Sequence, residues 1–384
     1  MSPERERRRL LLAIHLLECP ECGPAGAASV LRANPEAETP EELDPRRPEA
    51  ARSAAQALAA RSRRWEPGRL EERLGRWAES GIRFLTPESP GFPRNLLESP
   101  YRPALLSLRG TLAPEDDRAL TVVGTRRATD YGFAAVEKIV AEIAPHRPTI
   151  VSGMAEGIDR CAHRAALANG LRTLAVLGEG LAVPQNRRTR ELREEIESRG
   201  AVLSPFLPDA SARAWTFPFR NRILSGLSRG TLVAQSRVKG GAMITARLAA
   251  DEGRDVFAVP GSIFAESSGG CNLLVAEGAT PVCEGATVAE ALRWRAPRPG
   301  SPASAPAARQ TSLFASPAPD ALLSGLSPEE RALWEVCPSE PGAMDEALRK
   351  AGMPDSRALA ILALLEMQGL VRRLPGNRIV RASR

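Results

Sequence analysis

Between residues 112 and about 294, short and nearly continuous apolar runs alternate with stretches of helical spacing. The apolar runs fall at 120–123, 149–151, 173–177, 202–203, 231–234, 256–259 and 281–283. The helical patterns between them lie near 130–144, 158–169, 189–199, 219–228, 242–252, 270–277 and 286–294. A strand that is apolar at every position must be covered on both faces. Strands of that kind, each followed by a helix, form a parallel sheet sandwiched between helices. This alternation predicts an α/β fold, an extended Rossmann-like parallel sheet, and places any ligand at the carboxyl ends of the strands. Aromatic residues make up only 4% of the chain, so Leu, Val, Ile and Ala must fill the core.

The loops after these strands carry the chemistry. The stretch 149–170 reads TIVSGMAEGIDRCAHRAALANG: a β-branched run, a loop of small residues, then an amphipathic run with Ile158, Ala162, Ala165 and Ala166 on one face. Strand, tight loop and helix together present backbone N–H groups to an anion. Ser152, Gly153, Ala155 and Gly157 leave room for a phosphate to approach the backbone. Other strand ends carry Gly124-Thr125-Arg126-Arg127, Gly178-Glu179-Gly180, Lys239-Gly240-Gly241-Ala242 and Pro260-Gly261, and Phe217-Pro218-Phe219-Arg220-Asn221-Arg222 opens a helix. Cations, an amide and helix N-termini on one rim suit phosphates and unpaired nucleotides. No GxGxxG follows the first strand and no GxxxxGK[ST] occurs, which argues against a dinucleotide cofactor and against a P-loop nucleotidase.

The flanks differ in character. Residues 4–18 predict an arginine-rich helix with Leu10, Ile14 and Leu17 on one face, followed by a Pro-Gly turn and a second helix through Ala33. The pair fits either a degenerate helix-hairpin-helix or a plain helical cap. Further helices are predicted at 48–63 and 67–79. A short strand at 82–85, a Pro-rich loop and a strand at 105–108 lead into the centre. Residues 295–320 have the Pro, Ala and Ser content of a linker. Beyond it, a capping-box start at Ser327 to Glu330, helices near 328–336, 343–350 and 355–368, and a hairpin over 370–380 predict a winged helix. Its third helix offers Arg357 as a base-facing cation; duplex reading and protein contact fit it equally. The expected domains are therefore helical (1–80), Rossmann-like (81–294), linker (295–320) and winged helix (321–384).

The formal net charge of +6 favours a polyanionic partner. No apolar run reaches membrane-spanning length and the N-terminus lacks a secretory signal pattern, so the expected location is cytoplasmic. Cys19, Cys22 and His15 are three conceivable zinc ligands without a fourth, and reduced thiols are the favoured reading.

Several of these motifs are shared. Gly124-Thr125-Arg126 with Tyr131-Gly132, then SGMAEGIDRCAH, FPFRNRILSGLS, GGAMITARLAADEGRDVFAVPG, Asn272 and Gly278-Ala279, resemble the DNA-processing protein A (DprA/Smf) family in order and spacing. The resemblance implies single-stranded DNA binding on an extended Rossmann fold, loading of RecA recombinase during natural transformation, a homodimer formed through the Rossmann domain, and no cofactor or metal. This chain departs from the family pattern at Thr125, at Gly240-Gly241-Ala242 where hydroxyls are usual, at Gln235 where an acid is common, and at Val183-Pro184.

The expected DNA contacts are Arg126, Lys239, Arg220, Asn221 and Arg222 on phosphates. The backbone of the 152–157 loop and of Gly240-Gly241 is expected to form amide cradles, and Gly124, Thr125 and Thr245 are expected in the same DNA-binding set. Phe217 fits both a base-stacking role and a core role. Asp159, His163, Pro260, Gly261 and Asn272 are expected to support the loops. Asp159 and His163 share a helix face at i, i+4, which keeps a nucleotide hydrolase as the rival class, although Asp159 also suits the helix dipole. For the helix at 270–277, adjacent Leu273 and Leu274 cannot both point fully inward; an exposed one would help form a dimer patch, and burial beneath the 265–270 loop fits equally.

Overall fold

The computed structural model describes residues 2–19, 22–44, 65–294, 326–340, 342–367, 370–374 and 377–381. The helix expected at 48–63, the linker at 295–320 and turn residues 375–376 lie outside them. The chain forms two compact units, Met1–Arg298 and Pro299–Arg384.

The first unit opens with α1 (Pro3–Leu17), α2 (Gly23–Ala33) and α3 (Pro67–Glu79). The start of α1 is set by Ser2, whose hydroxyl accepts from the Arg5 N–H, by Pro3, and by Glu4 and Glu6 in the first turn. β1 (Arg83–Leu85), α4 (Arg94–Leu97) and β2 (Leu106–Gly110) follow. The alternating region then runs β3 (Ala119–Gly124), α5 (Asp130–Ile143), β4 (Thr149–Ser152), α6 (Ile158–Ala168), β5 (Thr173–Val176), α7 (Arg187–Arg199) and β6 (Ala201–Ser204). It continues through α8 (Thr216–Leu227), β7 (Gly230–Gln235), α9 (Gly241–Asp251), β8 (Asp255–Ala258), α10 (Gly269–Ala276), β9 (Thr280–Pro281) and α11 (Gly285–Ala291).

The nine strands form one sheet in the order β1-β2-β6-β5-β4-β3-β7-β8-β9. All pairings from β6 to β9 are parallel, whereas β2 runs antiparallel to both β6 and β1. The lead-in strands thus extend the Rossmann sheet at its β6 edge. Side chains alternate across it: Leu120 and Val122 of β3 join Val136, Ile139, Ile158 and Val288 on one face. Val123 joins Ile223, Leu224, Met243 and Ala246 on the other. A third cluster ties Leu12, Ile14, Val30 and Leu70 of the N-terminal helices to Leu177, Leu192 and Val202.

Two expectations need correction. Leu274 is only 4% exposed and sits in the core, while Leu273 is partly buried and packs against the same cluster. Both leucines therefore pack inward, and this helix lacks an exposed leucine patch. The last apolar run also starts earlier than 281–283, with the strand at Thr280–Pro281 and one further bond from Val282 N–H to the Ala258 carbonyl at 2.9 Å.

The second unit contains α12 (Pro328–Val336), β10 (Gly342–Ala343), α13 (Met344–Lys350), α14 (Asp355–Met367), β11 (Val371–Leu374) and β12 (Arg378–Arg381), with sheet order β10-β12-β11. Its capping box forms as expected: Glu330 N–H donates to Ser327 Oγ at 3.3 Å and Ser327 N–H to Glu330 Oε2 at 2.8 Å. Arg357 is held in an ion pair with Glu329 at 2.9 Å.

Among the described residues, no helix is long and apolar enough to cross a membrane, and no group of His, Cys, Asp or Glu is placed to hold a metal. Cys19 and Cys22 are both buried.

The N-terminal helices are fastened by Arg9, which is 2% exposed. Its guanidinium donates to the Asn34 and Ala37 carbonyls at 2.9 and 2.8 Å and to Glu88 Oε1 at 2.7 Å. Arg9 holds Glu88 below the usual carboxylate range against the opposing effect of burial. Arg9→Met strands these acceptors and should destabilise the unit by about 3–5 kcal/mol. Urea unfolding followed by tryptophan fluorescence would read the loss, since Trp77 packs in the same cluster.

Candidate anion-binding site at the sheet switch point

Strand β3 pairs with β4 on one side and β7 on the other, so connections leave it toward opposite ends of the sheet. At such a reversal the loops part and leave a crevice at the carboxyl ends of the strands. A cavity of about 240 Å³ lies there, lined by Gly124, Thr125, Arg126, Ala155, Asp159, Phe217, Arg220, Asn221, Ser236, Arg237, Gly240, Gly241, Ala242 and Thr245. The N-terminal turns of α6, α8 and α9 all reach it, so their unsatisfied N–H groups and dipoles favour an anion.

The β3 loop is built for close approach. Thr125 N–H donates to the Gln235 carbonyl at 2.8 Å, and Thr125 Oγ1 accepts from Arg127 N–H at 3.2 Å. Arg126 is exposed, and its guanidinium lies 5.3 Å from the centre of the half-buried Phe217 ring. That pairing keeps a cation and a π-face side by side at the mouth. The β4 loop interlocks with it: Ile158 N–H donates to the Thr125 carbonyl at 3.2 Å. Gly157 has φ +82°, and a Cβ there would stand 2.3 Å from the Thr125 oxygen, so only glycine fits.

Beneath this loop lie two opposite charges. Asp159 is 6% exposed and accepts from the Ala155 N–H at 3.4 Å; Arg220 is 4% exposed and donates to the Val176 carbonyl at 2.9 Å. Burial pushes the Asp159 carboxyl up while the Arg220 charge and the loop amides pull it down. Burial likewise lowers Arg220, opposed by Asp159. Arg220 was expected on a phosphate, but it is a pillar under the loop: Gly153 opposite it has no side chain, and a Cβ there would stand 1.5 Å from Arg220 Nη1.

His163 is fully buried. Thr173 Oγ1 donates to the Ile150 carbonyl at 2.7 Å, so it must accept from His163 Nδ1–H, also at 2.7 Å. Burial, then the Arg220 charge, pushes the imidazole down from 6.5 to about 3. A neutral imidazole of that kind does not serve as a base near neutrality.

The remaining expected residues divide. Asn221 and Thr245 line the cavity, as do Gly240 and Gly241 at the start of α9. Ser152 is buried and donates to the Val122 carbonyl, so it shapes the loop from below. Lys239 is exposed in the turn before Gly240. Arg222 turns away and lies 5.0 Å over the Tyr101 ring. Asn272 makes two bonds to the Gly261 backbone, at 3.1 and 3.0 Å, and Pro260 accepts from the Tyr131 hydroxyl. Sequence reasoning missed Ser236 and Arg237, which line the cavity, and the structural part played by Gln235. Gln235 bonds the Thr129 N–H at 2.9 Å, the Thr129 hydroxyl at 2.8 Å and Ser267 at 3.2 Å, which joins three loops of the rim.

A switch-point crevice ringed by helix N-termini defines a Rossmann-type α/β protein with an anion-binding rim. The family model described as DNA recombination-mediator protein A matches residues 83–293, more than half of the chain, and that of the DprA winged helix domain matches 316–377. The chain belongs to the DNA-processing protein A (DprA/Smf) family. It is 34% identical over 310 residues to protein Smf of Escherichia coli, covering 79% of each chain. It is 41% identical over 197 residues to DNA processing protein DprA of Streptococcus pneumoniae, covering 51% of this chain and 70% of that one. The X-ray structure of the Streptococcus pneumoniae protein matches with TM-score 0.63 at 31% identity, over 73% of this chain and 97% of that one.

Two outcomes follow from the buried layer. Gly153→Ala should drive Arg220 from its place and cost about 1–3 kcal/mol by chemical denaturation. His163 titrates near 6.5 when unfolded and near 3 when folded, so the stability it contributes is complete above pH 6.5 and is lost as pH falls toward 3. Asp159, whose folded value is raised, works in the opposite sense, so the difference between wild type and His163→Gln isolates the histidine. That difference should shrink on acidification with a slope approaching 1.4 kcal/mol per pH unit.

Proposed function

We propose that the crevice holds the backbone of single-stranded DNA with little regard to sequence, and that the protein acts as a non-enzymatic recombination mediator. The observation that carries this reading is the Arg126–Phe217 pair set among three helix N-termini. The cation and the amides suit a phosphate, and the half-buried ring at the mouth suits an unstacked base, which duplex DNA does not offer. The cavity of about 240 Å³ is smaller than small-molecule sites, which run to roughly 300–1,000 Å³. That favours a segment of polymer lying across the rim over an engulfed nucleotide. Hydrolysis has little support here: His163 is neutral and buried, and Asp159 is buried beneath the loop.

Family membership supports the finer parts of the reading, namely delivery of the strand to RecA recombinase during natural transformation and a cytoplasmic homodimer formed through the Rossmann unit. With Leu274 in the core, apolar surface for such contacts comes from elsewhere. Ile263 and Phe264, on the loop between β8 and α10, are 83% and 93% exposed. The expected domain limits, 1–80, 81–294, 295–320 and 321–384, remain part of the proposal.

Fluorescence anisotropy on labelled single and double strands tests the site. Wild type should prefer the single strand. Arg126→Ala should weaken all sequences alike and reduce the salt slope by roughly 0.7–1. Phe217→Ala should cost about 1–3 kcal/mol of binding. Unchanged affinity in both variants would sink the assignment.

A further inference from the structure

The amino ends of the strands carry a second feature that the crevice does not use. Arg172, Arg147, Arg118, Arg229 and Arg254 stand one or two residues before β5, β4, β3, β7 and β8, which are consecutive neighbours in the sheet. Adjacent strands lie about 4.8 Å apart, so these arginines form a row along that edge.

The ends of the row are committed to the fold. Arg172 pairs with the buried Asp116 at 2.9 Å and donates to the Thr111 carbonyl at 2.7 Å. Arg254 donates to the Asn95 and Ser228 carbonyls. The middle is different. Arg118 and Arg229 are exposed and make one backbone contact each, to His146 at 2.9 Å and to Asp117 at 3.2 Å. The side chain of Arg147 makes no hydrogen bond or ion pair with any described residue, and neither does that of Arg293, which follows α11. Both are in the left-handed region, with φ 51° and 54°, where a helix C-terminus usually places glycine. A plain capping role would put their guanidiniums on the terminal carbonyls, and they are not there.

These four arginines surround a cavity of about 510 Å³, with Leu292 and Trp294 in its wall. Trp294 is 7% exposed, and its Nε1–H is shielded within the wall, without an acceptor among the described residues. The acids at the cavity are Glu115 and Asp117, so cations outnumber them two to one. Guanidiniums are donors only. A ligand that meets them must bring acceptors and negative charge, which is the chemistry of a phosphate chain.

We propose that this cavity is a second phosphate site for nucleic acid, on the opposite edge of the sheet from the crevice, occupied by a further stretch of the single strand. The proposal rests on the reading of the crevice as a single-strand site. Its position explains its composition. Helix C-termini face this edge and repel anions, so phosphate binding here requires full side-chain charges.

The test uses the full chain and a double variant, Arg147→Asn with Arg293→Asn, since asparagine tolerates the left-handed conformation. Binding of a short oligothymidylate and of long poly(dT) is measured over a salt series. The variant should keep wild-type affinity for the short oligonucleotide. It should lose about tenfold or more on poly(dT), with the salt slope reduced by about 1.4 for two phosphate contacts. Poly(dT) binding and slope equal to wild type in the double variant would overturn the proposal, as would an equal loss on the short oligonucleotide. Displacement of an acidic peptide rather than poly(dT) would also overturn it, by showing a protein partner. Arg126→Ala, measured alongside, reports on the crevice separately, so failure of either site is recognised by itself.

Discussion

The crevice depends on two opposite charges buried under a loop. Asp159 and Arg220 both lie within reach of the position where Gly153 lacks a side chain. Taking such groups out of water costs several kcal/mol each unless partners are fixed. The partners here are backbone: the Ala155 amide for Asp159 and the Val176 carbonyl for Arg220. Each charge is bonded to the loop or to the end of β5, so neither can relax without breaking that bond; Arg220 Nε is buried with no partner among the described residues. The β4 loop is thereby held in a shape that includes Met154 at φ 56° and Gly157 at φ 82°. That shape presses Gly157 against the β3 loop and sets the direction of Arg126. The exposed cation thus stands beside two charges that reach the crevice wall yet are almost wholly buried.

Much of the fold was legible because its periodicities are unambiguous. Strands covered on both faces are apolar throughout, and each expected run lies in or beside an observed strand. Strand order was not legible, because hydrogen bonding between strands leaves no trace in a single chain's composition. Nothing in 82–85 or 105–108 announced that β1 and β2 would join the β6 edge antiparallel. In the site, the glycines and Arg126 were readable from steric need and charge. The FPFRNR motif shows where such reading stops. Arg220 and Arg222 are two residues apart on a helix, hence on nearly opposite sides, so one turns inward to Val176 and the other outward to Tyr101. Spacing required the division, but only packing decided which arginine was buried.

Gln235 illustrates a different limit. Against the family pattern it stands out as a missing acid. In the structure it is 2% exposed and works as a two-handed amide. Its oxygen accepts from the Thr129 N–H while its nitrogen donates to Thr129 and Ser267. A carboxylate would supply the first bond and lose the donors. The substitution is therefore consistent with its neighbours: threonine and serine hydroxyls that can accept lie where the amide needs them. Gly132 completes the fit, since a Cβ there would stand 2.6 Å from Gln235 Oε1.

The two ends of the sheet solve opposite electrostatic problems. At the carboxyl ends, helix N-termini already supply partial positive charge, so a few cations suffice, and small residues matter more because they let the backbone be reached. Arg126, Arg127, Arg237 and Lys239 are among the exposed cations at that end. At the amino ends the same helices present their negative ends, and an uncharged edge would repel a phosphate chain. Arginine stands before five consecutive strands on that edge. Those at the margins neutralise Asp116 and backbone carbonyls, which a fold with exposed helix C-termini needs in any case. Once that need is met, the unpaired charges of Arg147 and Arg293 have no structural use of the same kind. Like charges gathered around one cavity oppose the folded state, and such an arrangement is better explained by a polyanion that relieves the repulsion than by folding alone.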